Sequence, residues 1–308
     1  MKLEGIHHIT AITADAQRNV DFYAGVMGLR LVKKTVNQDH TSVYHLFYAD
    51  EKGDPGSDLT FFEYPGAPKG RAGAGMVHRI CWRVGAEAAF DFWQQRLAAI
   101  DTEAERGDGR LRFRDPEGLQ HELRVSDAPD DPLIADHPEV PAEHALQGFD
   151  AARAFAADPE ASRGLLKTLR FEQTGDGWEA RGERRGGRWS YDEAPADRGL
   201  AGAGTVHHIA WASAIDEHEQ WRELAIEGGA DPTPIIDRFY FRSIYFREPS
   251  GVLFEIATLG PGFTVDEPLE HLGEKLSLPP AFEHLRDQVE PTLTPIVNPR
   301  QASAAPSA

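Results

Sequence analysis

Two histidine pairs and one glutamate carry the chemical potential of this chain. GIHHITAITAD begins at Gly5, GTVHHIAWAS begins at Gly204, and VLFEIAT sets Glu255 between Phe254 and Ile256. Both histidine segments alternate as a β-strand does, so His8, Thr10 and Ile12 share one face, as do Val206, His208 and Ala210. Neutral imidazole and carboxylate together suit a divalent first-row metal. Two histidines and one carboxylate form a facial triad that leaves coordination positions open, the arrangement diagnostic of non-haem Fe(II) oxygenases. The expected ligands are therefore His8, His208 and Glu255. A lone histidine in a strand reads as a satisfied structural residue. Two pairs at matching places in two strands, with a carboxylate to complete them, favour ligation.

The elements that must position these residues recur along the chain. Residues 3–64 read as strand (Ile6–Thr13), helix (Ala16–Val26, with Asp15 as N-cap and Gly28 ending it) and three strands. His45 falls on the second-last strand and Glu63 on the last. Residues 75–125 repeat the order: GMVHRICW matches GTVHHIAW, and RDPEGLQHEL matches REPSGVLFEI. Here Arg79 replaces His208, and Arg cannot bind a metal. Glu122 stands at the place of Glu255, as a relic or a surface acid.

A third copy follows the acidic, Pro-rich stretch 127–143. In it LLKTLRFEQ is matched to GLRLVKKT, which sets Gly148 at the place of His8. DGWEARGERRGGRWSYDEAP reads as a hairpin turning at Gly-Gly. The fourth copy, 201–265, carries a helix over Ile215–Glu227 and strands over Phe239–Arg247 and Gly251–Ala257. Boundaries are expected at 1–65, 66–126, 127–143 (linker), 144–200, 201–265 and 266–308. The tail holds one helical pattern, PPAFEHLRDQVE, and ends in the disordered-looking run NPRQASAAPSA.

Bulk properties bound the rest. The 308 residues suffice for two cores, and a net charge of −18 argues against nucleic acid and anionic membranes. Cys81 is the only cysteine, so no disulfide or thiolate cluster is available. No run approaches the ~20 apolar residues of a membrane span, and no signal peptide is visible. A cytoplasmic protein is expected, with its oligomeric state open.

Four strand-helix-three-strand units with ligands on first and last strands resemble the vicinal oxygen chelate superfamily of glyoxalases, bleomycin-resistance proteins and extradiol dioxygenases. IHHIT, YHLFYAD-x-x-G-x-P-G, VHHIAW and DRFYFRSIYFREPSGVLFE together resemble its ring-cleaving hydroquinone dioxygenases. The resemblance implies an α+β fold of four βαβββ units in two halves. It also implies Fe(II), or Mn(II) in its place, on His8, His208 and Glu255, with supporting roles for His7, Thr10, His207, Arg238 and Tyr245. By strand alternation alone, His7 and His207 should point away from the metal unless the strands twist. Because the ligands come from the first and fourth units, those two should pair around the metal. The second and third should then form a metal-free half, within one chain or swapped between two.

The implied substrates are dioxygen and a hydroquinone or catechol, cleaved beside a hydroxyl-bearing carbon. Tyr245 or His207 would move protons, Arg238 would hold an anionic oxygen, and Phe239, Tyr240 and Phe241 would line the pocket. His45, His78, His121 and Cys81 read as structural. Two alternatives stay open. If Glu63 is a fourth ligand, the site is of glyoxalase type, a metal-dependent lyase or isomerase. Without chemistry, the protein would sequester aromatics as a resistance protein.

Overall fold

The structure is a computed structural model, and it describes residues 1–175 and 177–300. Its strands form two eight-stranded sheets. The first takes β1 (Ile6–Thr13), β2 (Arg30–Asn37), β3 (His40–Ala49) and β4 (Asp58–Glu63) from one end of the chain. It takes β13 (Val206–Ser213), β14 (Ile236–Asp237), β15 (Phe241–Arg247) and β16 (Leu253–Pro261) from the other. The second takes β5 (Met76–Val84), β6 (Ala104–Gly107), β7 (Arg110–Arg114) and β8 (Gln120–Val125). To these it adds β9 (Phe149–Ala156), β10 (Glu172–Thr174), β11 (Gly177–Arg181) and β12 (Gly186–Glu193).

The first and fourth units therefore share one sheet and the second and third share the other, within a single chain. Each sheet is joined at its centre by antiparallel first strands, β1 with β13 and β5 with β9. In each unit the first and last strands pair in parallel. The crossed arrangement follows from what the halves must bury. Apolar residues of β1, β5, β9 and β13 fall in one buried cluster that runs through both halves, with Trp82, Trp189 and Trp211 fully enclosed. The two inter-unit segments also pair, Arg71 with Leu200 and Lys69 with Ala203.

Several local expectations are corrected. The first helix is regular only over Ala16–Val20 and continues as a wider π-turn over Asp21–Val26. The Gly186-Gly187 pair is not the hairpin turn but the start of β12, and the turn falls on residues 182–185. Those glycines serve the contact between halves. A Cβ on Gly187 would lie 2.7 Å from the Ile6 nitrogen, and one on Gly5 would lie 2.8 Å from the Gly186 carbonyl carbon. LLKT, matched by sequence to a segment that enters β2, is part of the helix Arg163–Thr168. The strand expected from Phe239 is broken by a turn, because Phe239 adopts φ 72°.

The helical pattern in the tail is realised only as short turns around Arg286–Val289. The tail nonetheless packs on the first unit: Ser277 donates to the Lys34 carbonyl, and Thr294 donates to Glu63. Of the run expected to be disordered, residues 301–308 lie outside the described residues. Among the described residues no helix is long and apolar enough to cross a membrane.

Candidate metal centre

Register brings the three expected ligands together. In the ladder between β1 and β13, His8 lies opposite Ala210 and Thr10 opposite His208, and in the next ladder Ala210 lies opposite Glu255. His8, Ala210 and Glu255 thus form one row across three strands, with His208 two residues along the middle one. The row is buried, and its middle member carries only a methyl group.

The donor atoms converge. His8 Nε2 and His208 Nε2 are 3.3 Å apart, and Glu255 Oε2 lies 3.1 Å from the first and 2.9 Å from the second. Among the described residues these three form the group able to hold a metal ion. Glu255 Oε2 is fully buried yet has no well-aligned hydrogen-bond partner. A divalent ion with bonds of about 2.1 Å spaces adjacent octahedral donors by about 3.0 Å, and tetrahedral ones by about 3.4 Å. The observed triangle is closer to one face of an octahedron. Two lone pairs and a carboxylate oxygen aimed at one buried point fit a cation and little else.

The electrostatics prepare the donors. Burial lowers the pKa of His208, so its imidazole is neutral and able to coordinate. Burial alone would push the Glu255 carboxyl up, but a proton between it and the His8 and His208 rings, at the place a bound cation would take, holds it well below the usual range. Ser243, which donates to Glu255 Oε1, leaves Oε2 for the shared point.

His7 fixes the tautomer of His8. Its Nε2 lies 3.1 Å from the Thr258 carbonyl oxygen, which can only accept. Burial, with the neighbouring His8, lowers the His7 pKa to about 3, so the ring is neutral and its Nδ1 must accept. That acceptor is 3.0 Å from His8 Nδ1, which therefore donates and leaves the His8 Nε2 lone pair facing the triad. His207 likewise brings its Nδ1 to 2.8 Å from His208 Nδ1. His7 and His207 thus turn back toward their neighbours, the exception to strand alternation, and a bulge produces it. The β1–β13 register slips between Ile6 and His8, and again between Thr10 and Ala11, whose partner is Val206. His7 and His207 are the residues skipped, each in a bulge that turns its ring back toward its neighbour.

Glu63 lies outside the converging group. Its Oε1 accepts from the Ala16 amide at 3.1 Å and from Thr294 at 2.8 Å, so it anchors the first helix and the tail. The register equivalent of Glu255 in the first unit is Thr60, which lies opposite Thr10. Thr60 Oγ1 donates to Thr10 Oγ1 at 2.8 Å, and Thr10 Oγ1 is 2.9 Å from His208 Nε2. His45 joins this chain through Nε2, 2.9 Å from Thr60 Oγ1. Sequence reasoning missed Thr60 and Ser243, and it set His45 aside as structural. Alternation was the available signal, since Ser243 shares a face with Tyr245 and His45 faces Phe62 across its ladder.

The triad opens onto a cavity of about 420 Å³ whose walls include His45, Phe62, Arg238, Tyr240, Phe241 and Tyr245. Phe239, expected there, packs behind Tyr240 instead. Arg238 pairs with Asp39 at 3.0 Å and directs Nε to the Tyr245 hydroxyl at 3.3 Å. Burial, then the Glu255 charge, raises the Tyr245 pKa, so the phenol keeps its proton.

In the other half, Arg79 lies opposite Arg153, as His208 lies opposite Thr10. The residue equivalent to His8 is therefore Ala151, not Gly148. The conclusion that the third unit offers no ligand there is unchanged. Glu122 is no surface acid but fully buried.

Comparison with known proteins decides the family. The Glyoxalase/Bleomycin resistance protein/Dioxygenase superfamily profile matches residues 5–123. The Bacillus subtilis protein named "Putative ring-cleaving dioxygenase MhqO" is 41% identical over 305 residues, covering 96% of this chain and 97% of its own. The chain belongs to this superfamily. It falls in the ring-cleaving dioxygenase branch. The Sphingobium indicum chlorohydroquinone/hydroquinone 1,2-dioxygenase is 32% identical over 325 residues, covering 96% of this chain and 98% of its own. A Bacillus subtilis crystal structure named "putative dioxygenase" superposes with a TM-score of 0.88 at 38% identity, over 96% of this chain and 98% of that one. Maize glyoxalase I, at 14% identity and a TM-score of 0.55 over 87% of this chain and 96% of its own, shares the fold. This dioxygenase thus presents two vicinal-oxygen-chelate halves, with a buried His-His-Glu group in one.

Proposed function

We propose that this protein is an Fe(II)-dependent extradiol-type dioxygenase that opens the ring of a hydroquinone or catechol and inserts both atoms of dioxygen. The observation that carries the reading is the open face of the His8–His208–Glu255 triangle, turned to a cavity of aromatic-ring size. The hydroquinone dioxygenase among the relatives supports the substrate class. Fe(II), or Mn(II) in its place, would be held by these three side chains. When bound it would acidify a phenolic hydroxyl and bring diol and dioxygen together.

The chain's own groups do the rest. Phe62 and Phe241 offer faces for the ring, and the cavity walls exclude water from it. Tyr245, kept protonated, donates to an oxygen that gains charge as the ring opens. Arg238, through its contact with the Tyr245 hydroxyl, adds positive charge at the same place. Thr10 offers a hydrogen bond to a group beside His208, and His207 holds His208 in the ligating tautomer. The reading places the protein in the cytoplasm, acting on a small aromatic diol.

The glyoxalase-type alternative loses its fourth ligand, because Glu63 is committed to Ala16 and Thr294. An aromatic-sequestering protein would have no use for three converging donors. The test is an oxygen electrode trace of anaerobically Fe(II)-loaded protein mixed with methylhydroquinone or chlorohydroquinone. Stoichiometric oxygen uptake is expected. No uptake, together with turnover of a glutathione–methylglyoxal adduct on nickel or zinc, would move the assignment to a glyoxalase.

A further inference from the structure

The metal-free half has not become a blank copy of its partner. Superposing the ladders position by position pairs His208 with Arg79, Tyr245 with Arg112, Ser243 with Arg110 and Ala257 with Arg124, while Glu255 keeps its carboxylate as Glu122. Thr10 has become Arg153. Five neutral groups around the old carboxylate are thus replaced by guanidinium groups, while the place of His8 is taken by Ala151.

Four of these cations converge on one acid. Arg79 Nη1 is 3.2 Å from Glu122, Arg112 Nε 2.8 Å and Arg110 Nε 3.6 Å, and Arg124 Nε also donates to it. Burial alone would raise the Glu122 pKa, but these arginines lower it. Where the first half awaits a divalent cation beside its carboxylate, this half supplies the charge from guanidinium groups. It oversupplies it. Asp150 takes part of Arg124, at 3.4 Å. Arg153 is matched by Asp192 at 2.8 Å, which also accepts from His78 at 2.7 Å. Among the described residues that leaves Arg79, Arg110 and Arg112 sharing the single charge of Glu122 with Arg124, in a chain whose net charge is −18.

Like charges this close repel unless an anion joins them. Space for one exists. A cavity of about 450 Å³ opens directly over the cluster, walled by Arg79, Arg110, Arg112, Arg153, His78 and Asp192. Two guanidinium donors at the cluster, Arg79 Nε and Arg124 Nη2, are buried without a hydrogen-bond partner among the described residues. His78, stacked on Phe155 at 3.8 Å, forms a rigid side wall.

We propose that the arginine cavity of the metal-free half binds a small oxyanion of two or more negative charges, of phosphate or dicarboxylate type, held by Arg79, Arg110 and Arg112. Planar guanidinium forks match such oxygens in pairs. The site is independent of the metal centre, so the proposal stands whether or not the chain opens aromatic rings.

The test is calorimetric titration of the full-length protein with inorganic phosphate and, separately, with maleate, against sodium chloride at equal ionic strength. Saturable one-to-one binding of at least one of the two is expected. Affinity should fall about tenfold or more in Arg112→Gln and in Arg110→Gln, whose side chains are partly exposed, with metal content unchanged. In unsubstituted protein, the His78 ring resonances should shift along the same titration. Heat indistinguishable from chloride with both anions, or unchanged affinity in both folded variants, overturns it. So does binding that leaves His78 unmoved.

Discussion

His7 and His8 are neighbours in one strand, yet their Nδ1 atoms meet at 3.0 Å. In an unbroken strand their side chains would leave on opposite faces. The bulge at His7 brings them together, and its counterpart at His207 does the same for His208. Each of the two converging imidazoles thus meets the ring of the residue before it.

Removing that hold should weaken the metal before it harms the fold. His7→Phe keeps the bulk beside Phe241 and deletes the acceptor for His8 Nδ1. A ten- to hundredfold loss of metal affinity is expected, the usual cost of an outer-shell partner. Competition with a chromophoric chelator measures it, and circular dichroism checks the fold.

The carboxylates should separate cleanly. Glu255→Gln should abolish stoichiometric metal. Glu63→Gln should leave it intact and lower stability by about 1 kcal/mol through its weakened bonds to Ala16 and Thr294. Metal analysis of both proteins, with urea unfolding of the second, checks this. Metal loss in Glu63→Gln would revive a four-ligand site.

Ala210 lies between His8 and Glu255 in its row. Ala210→Leu should set an isobutyl group where the donors converge and cost most of the bound metal. Anaerobic Fe(II) loading of folded variant and parent compares them directly.

Burial pushes His121 down to about 3, and it accepts from Trp82 at 3.1 Å in the core of the other half. A histidine held neutral contributes its full stability above its unfolded pKa of about 6.5 and loses it as pH falls toward the folded value. Asp115, pushed up to about 6 by burial, takes up protons over the same range and works the other way. The reading is therefore a difference between proteins. The stability advantage of the parent over His121→Gln should shrink by about 3 kcal/mol between pH 7.5 and pH 4.5. Urea titrations at the two pH values give the number.

The converging group was legible because His8 and His208 sit in short alternating strands that carry the same pair, and Glu255 sits in a repeat of the segment around Glu122. The crossed halves followed from those ligands alone, since one ion cannot be held by units that do not meet. What escaped the sequence was register. Nothing in IHHIT or VHHIA marks the extra residue of a bulge, so His7 and His207 looked turned away. Sliding by three residues made Glu63 seem equivalent to Glu255 when Thr60 is, and made Gly148 seem equivalent to His8 when Ala151 is. Gly186-Gly187 has the composition of a turn, and only the approach of Gly5 and Ile6 shows why glycine is needed in a strand there.

The most direct test of the central claim is mass spectrometry of the product formed under ¹⁸O₂ by Fe(II)-loaded protein and a substituted hydroquinone. A ring-opened product carrying two ¹⁸O atoms, lost when His8, His208 or Glu255 is replaced by alanine, is the predicted result. An intact ring, or a product formed equally well by any of the three alanine variants, would contradict it.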